Sequence, residues 1–186
     1  SPAGYVMPAG YPKGQVAYTT AKVIVARAFA PAGTPWKYAR VPYDPVQSGH
    51  ATHVAGIAAG NANTTATGNV KVSGIAPRAY IGNYKALSVP TDADVGLDGN
   101  APELVAAIEA AVADGMDVIN LSIGEPEIEP SRDLVALALD AAGREFLEQP
   151  VVVRHGDHAE TAFRRRFLDA LGHLRQCVDV EAGVGL

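Results

Sequence analysis

Nine consecutive residues, Gly49-His50-Ala51-Thr52-His53-Val54-Ala55-Gly56-Ile57, constrain this chain more than any other segment. Read as a helix they carry small residues, with Ala51, Ala55 and Gly56 followed by Ala58 and Ala59, and a helix that thin can lie close against a sheet. Gly49 lets the backbone turn sharply into it. His50 is thereby left at the helix mouth, where an imidazole suits the work of a general base. Two histidines three apart are also compatible with a surface pair or with two metal ligands. A zinc-binding helix, however, spaces its histidines four apart with a glutamate between them and takes a third ligand, none of which is evident nearby. No metal is assigned here.

Around this segment, strand and helix patterns alternate. Lys22 to Ala30 is rich in β-formers and stops at Pro31, after a proline- and glycine-rich opening that reads as loop. After the His50 helix, Asn61 to Gly68 reads as an exposed turn and the stretch around Ile81 as a strand. Asn100 is placed to cap a helix with Pro102 in its first turn, Glu103 completing a capping box, and Leu104, Ile108, Ala111 and Val112 on its apolar face. Gly115 ends it. The strand Val118 to Ile123 follows, then a helix capped by Ser131 with Leu134, Leu137 and Leu139, then the strand Val151-Val152-Val153. Such alternation predicts an α/β fold, a parallel sheet with helices on both faces, whose ligands bind at the carboxyl ends of the strands. Ser122 and Gly124 fall at such an end.

The nonapeptide resembles the histidine motif of the subtilisin-like serine peptidases, H-G-T-H-V-A-G, with Ala51 in place of the first glycine. Gly74-Ile75-Ala76-Pro77 and the strand from Ala79 to Leu87 resemble that family's G-V-A-P turn and the strand ending in K-V-L. Asp117-Val118-Ile119-Asn120-Leu121-Ser122-Ile123-Gly124 is similar to its D-V-I-N-M-S-L-G strand. The resemblance covers roughly Pro8 to Ala142. It implies an incomplete three-layer subtilisin-like domain, with His50 as triad base, His53 packed beneath it, and Ser122, Ile123 and Gly124 lining the substrate channel. It also implies a polypeptide substrate and mostly secreted family members. The chemistry needs no cofactor; calcium enters as a structural ion in many members, and the Asn61 to Gly68 turn offers oxygen ligands.

A triad also needs an orienting carboxylate and a serine nucleophile. By resemblance the aspartate belongs on an early strand upstream of the histidine, before Ser1, and the nucleophile's G-T-S-M-A motif after Leu186. Asp44 is the nearest carboxylate, in a Pro42-to-Pro45 loop that reads as solvated. Ser1, Ser48, Ser73, Ser88, Ser122 and Ser131 all lack the nucleophile's setting. The chain thus reads as a serine endopeptidase segment, inactive as it stands, or as a peptidase-fold scaffold without the chemistry.

Residues 1–143 read as the central part of the peptidase domain and 144–186 as a tail that departs from it. After Val153 the resemblance calls for A-A-G-N, but the chain has Arg154-His155-Gly156-Asp157, and an ionised Asp157 would repel a developing oxyanion. Lys13, Lys22, Lys37, Lys71 and Lys85 all precede the tail, whose basic residues are arginines, Arg164-Arg165-Arg166 among them. A divergent helix, with Phe163, Phe167, Leu168, Leu171 and Leu174 at helical spacing, and a shifted reading frame both account for this. Arg154-His155-Gly156 also resembles the opening of histidine phosphatases, in which an imidazole nucleophile beside a guanidinium captures phosphate. Fewer residues follow than such a domain needs.

Composition excludes little more. A net charge of −5 argues against a nucleic-acid partner, no stretch is long and apolar enough for a membrane span, and a lone Cys177 excludes an intrachain disulfide framework.

Overall fold

A computed structural model describes residues 4–91, 96–124 and 128–145, together with the backbone of two later strands, 151–154 and 176–179. In chain order the elements are β1 (Lys13–Gly14), β2 (Val23–Ala28), α1 (Gly49–Ala59), β3 (Thr64–Thr65), β4 (Lys71–Val72), β5 (Tyr80–Lys85), β6 (Val89–Pro90), β7 (Leu97–Asp98), α2 (Ala101–Asp114), β8 (Val118–Leu121), α3 (Leu134–Glu145), β9 (Val151–Arg154) and β10 (Gln176–Asp179). Six strands form one sheet in the order β1-β2-β5-β10-β8-β9. Every pairing in it is parallel. The expected α/β fold is therefore present, and the last of the described strands in sequence is inserted into its middle.

Neighbouring residues of β5 serve different helices. Ile81 joins Val23, Ala79, Ala55 and Ala59 in a small cluster under α1, whereas Tyr84 joins Ile24, Met116 and Ile119 beside Leu104, Ile108 and Ala111 of α2. Burying Ile24, Ile108 and Ile119 contributes about 1.5–3 kcal/mol each. The alanines of α1 offer far less apolar area, so that helix depends on close approach. Its C-terminal turn meets the backbone of the next segment, with Gly74, Ile75 and Ala76 donating their N–H groups to Gly60, Ile57 and Ala58 at 2.8–3.0 Å. A Cβ on Gly74 would stand 2.2 Å from the Gly60 nitrogen, so only glycine fits there.

The helix ends differ in detail from expectation. Asn100 is the N-cap of α2 but makes no side-chain capping bond, so the capping box does not form, and one Glu103 carboxylate oxygen is buried without a partner. Gly115 closes α2 in the left-handed conformation, φ 84°, its N–H shared by Ala111 and Val112. At α3 the cap is Asp133, not Ser131: its carboxylate accepts from Val135 and Ala136 at 2.9 and 3.1 Å. Val135, Leu139 and Ala142 face the core, while Leu134 and Leu137 are exposed.

Candidate active site

Ala55 and Ala59 pack on Val23 and Ile81, at the starting ends of β2 and β5. At 1.5 Å per residue, His50 lies roughly 14 Å from Ala59 and roughly 8 Å from Ala55 toward the helix N-terminus, the end entered by a loop that bonds Asn83 and Lys85 in the far half of β5. Ser48 precedes the helix, accepting from the Thr52 N–H at 2.9 Å and donating its own N–H to Asp44 at 3.0 Å. His50 and His53 are both exposed. His53 therefore does not pack beneath His50: the turn between them carries it outward.

The loop between β2 and α1 is anchored to the far half of β5. Asn83 donates to the Pro42 carbonyl at 3.0 Å, and Lys85 to Tyr38 and Ala39 carbonyls at 2.5 and 3.4 Å. Asp44 is fully buried, not solvated as its proline-flanked setting suggested. One carboxylate oxygen accepts from the Trp36 indole N–H at 2.5 Å and the other from the Val46 and Gln47 N–H groups at 2.9 and 3.0 Å. It thereby ties the turn leading into α1. Lys85 is also fully buried; burial pulls its ammonium down to about 8, against the opposing attraction of Asp44. Sequence reasoning missed both roles. The only available signal was the aromatic Trp36 eight residues before Asp44.

Ser122, Ile123 and Gly124 leave the end of β8 and rise from the core to solvent: Ser122 and Ile123 are half-buried, Gly124 exposed with open space about it. The Asn120 amide donates to the Ser122 hydroxyl at 2.9 Å, so this serine is held by its own strand. Both His50 and this tripeptide thus belong to the carboxyl-end side of the sheet. Ser48 and Ser88 are buried.

Among the described residues, no group of three or more His, Cys, Asp or Glu side chains could hold a metal ion, and no helix is long and apolar enough to cross a membrane. The Asn61 to Gly68 turn does not suit calcium. One Asn61 side-chain oxygen is buried without a partner, but the turn has no carboxylate and the Lys71 ammonium bonds Thr65 within it. Arg154 ends β9, while His155, Gly156 and Asp157 lie outside the described residues.

Residues 34–160 match the subtilase family of peptidases, a span that takes in Arg154-His155-Gly156 and removes the ground for reading those three as a phosphatase opening. The subtilisin-like protease SBT2.4 of Arabidopsis thaliana is 39% identical over 107 residues, 54% of this chain and 12% of that protein. SBT2.2 from the same plant is 46% identical over 79 residues, 40% of this chain and 8% of that protein. For SBT5.4 the identity is 40% over 80 residues, 41% of this chain and 10% of the relative. The chain thus spans about a tenth of the length of these curated relatives. No solved structure matches it. With more than half its length matched and the histidine-bearing helix inside the match, the chain belongs to the subtilase family.

Proposed function

We propose that this chain is the central part of the catalytic domain of a secreted, three-layer subtilisin-like serine endopeptidase, with His50 as its general base. The observation that carries the reading is the place of His50: exposed, in the first turn of a small-residue helix, toward the carboxyl ends of a parallel sheet. In the whole enzyme His50 takes the proton of a serine hydroxyl as the oxygen attacks the peptide carbonyl. It then gives that proton to the leaving amine, and water releases the acyl group by the reverse steps. The chemistry requires no cofactor. The backbone of Ser122 to Gly124 receives the substrate polypeptide as an added strand. None of the chain's own serines is assigned as nucleophile, so the 186 residues by themselves do not cleave peptides.

Extending the chain through the flanking coding sequence of its native locus and assaying casein digestion tests this. Proteolysis abolished by His50→Ala, with a fluorophosphonate labelling one serine outside residues 1–186, is the expected result. Proteolysis that survives His50→Ala refutes the assignment.

A further inference from the structure

We infer that Lys85 is a positioning residue for His50: its ammonium clamps the loop that carries the histidine helix, and loss of its proton opens that clamp. The inference rests on the reading of His50 as a general base. Ile81, Asn83 and Lys85 alternate along β5 and so share one face of the strand. Ile81 lies under Ala55 and Ala59 of α1, while Asn83 and Lys85 reach the loop that enters α1, at the carbonyls of Pro42, Tyr38 and Ala39. From there an unbroken run of hydrogen bonds leads to the helix. Ala39 donates its N–H to the Trp36 carbonyl at 3.0 Å, the Trp36 indole donates to Asp44 at 2.5 Å, and the other Asp44 oxygen accepts from Val46 and Gln47. The Asp44 carbonyl accepts from Ser48, and the Ser48 carbonyl from Thr52 in the first turn of α1, beside His50.

Of these two anchors on β5, the Asn83 amide has no charge to lose. The Lys85 ammonium is fully buried and donates to two carbonyls; hydrogen bonds from a charged donor are about twice as strong as neutral ones, so a neutral amine holds the loop less firmly. Burial brings that change down to about pH 8, against the attraction of the Asp44 carboxylate. The other groups around Lys85 are turned elsewhere. Lys37 and Arg40, the loop's remaining charges, are exposed, and Lys37 lies over the Tyr38 ring. Across the ladder Lys85 pairs with Ala28 of β2, and the adjacent Arg27 is held by Asp114, which lies with α2 on the Tyr84 face. The titratable side chains of α1 are His50 and His53, both exposed, and on β10 Asp179 stands in register with Asn83. Loss of the Lys85 proton therefore loosens Tyr38 and Ala39 first and the turn at Ser48 after them. The imidazole loses its placement, while Ser122 to Gly124 follow another strand, β8, and keep theirs.

NMR of the whole 186-residue chain between pH 6.5 and 9.5 tests the clamp without any need for proteolysis. The amides of Val46, Gln47 and Thr52 should shift together with a midpoint of about 8, and the Cε resonance of Lys85 should titrate with the same midpoint. Lys85→Met should abolish the step in all three amides. Flat amides in the unaltered chain, or a midpoint different from that of the lysine carbon, overturn the inference whether or not the variant folds. So does a folded Lys85→Met that keeps the step. In the extended enzyme, Lys85→Met should lower kcat by on the order of tenfold, leave KM within about twofold, and flatten the decline of kcat above pH 8; a loss confined to KM also overturns it. Proteolysis insensitive to His50→Ala would refute the base assignment alone and leave the Lys85-dependent step in the loop amides standing.

Discussion

Removing the Asp114 carboxylate should cost this fold a measurable part of its stability, in a pH-dependent way. The side chain ends α2 at 6% exposure and accepts from Arg27 Nε and Nη2 at 2.7 and 2.9 Å and from the Tyr84 hydroxyl at 2.8 Å, with the Lys13 ammonium at 3.6 Å. It thus joins β1, β2 and β5 to α2. In Asp114→Ala the fully buried Tyr84 hydroxyl loses its acceptor, a loss of about 1–3 kcal/mol. Arg27 is 35% exposed and can return to water, so its share is about 1 kcal/mol. Relief of a negative charge at a helix C-terminus gives back about 0.3–1 kcal/mol. The net expectation is about 2–3 kcal/mol, or on the order of 8 °C in Tm for a chain of this size. Burial pushes the carboxyl up, but bonds from Arg27 and Tyr84 and the charges of Arg27 and Lys13 outweigh it and hold it below its ordinary value. A depressed carboxyl stabilises the fold above the unfolded-state value and loses that contribution as pH falls through the folded one. Urea unfolding followed by circular dichroism should therefore show a larger gap between the two proteins at pH 7 than at pH 3. Adding Tyr84→Phe to the alanine variant should recover about 1 kcal/mol by removing the orphaned hydroxyl. A cost below about 1 kcal/mol at pH 7, or one that does not shrink in acid, would refute this account.

Lys85 gives a slope of the same sign in a higher pH window. Its folded value of about 8 lies below its ordinary 10.5, so the unfolded chain binds more protons between those values and Lys85 makes stability rise with pH across that window; Lys85→Met should lose that slope in urea titrations at pH 7.5 and 10. Gly74→Ala should destabilise by about 1–3 kcal/mol because its Cβ meets backbone, whereas Gly56→Ala, with open space around it, should stabilise α1 by up to about 1 kcal/mol. Thermal melts that rank these two variants the other way would show that the join between α1 and the 74–76 segment is not tight. The 186 residues alone should take no fluorophosphonate label and digest no casein; stoichiometric labelling of one of their serines would show that the nucleophile has been misjudged.

Local pattern made much of the fold legible. β2, β5 and β8 are apolar enough to read as buried strands, and Asn100 and Gly115 bracket α2 in the structure as in the sequence. The errors came where two local signals competed. Ser131 and Asp133 are both good caps, and only the aspartate's two backbone bonds decide between them. Asp44 looked solvated because prolines flank it, yet its burial comes from Trp36 folding back over the loop, a contact that no spacing rule announces. His53 was misplaced because a motif gives order along a helix but not which neighbours cover it.

The position of β10 was illegible for a different reason. Four residues, Gln176-Cys177-Val178-Asp179, are too short to carry a periodic signal, and their pairing partners on β5 and β8 lie nearly a hundred and about sixty residues earlier. Only the rest of the sheet gives the segment a reason to be a strand. β5 and β8 each need a partner on their inner edge, because unpaired N–H and C=O groups in the middle of a sheet have no water to bond. The slot thus selects any segment that can reach it in a parallel sense, and its demands fall on backbone, not on side-chain identity.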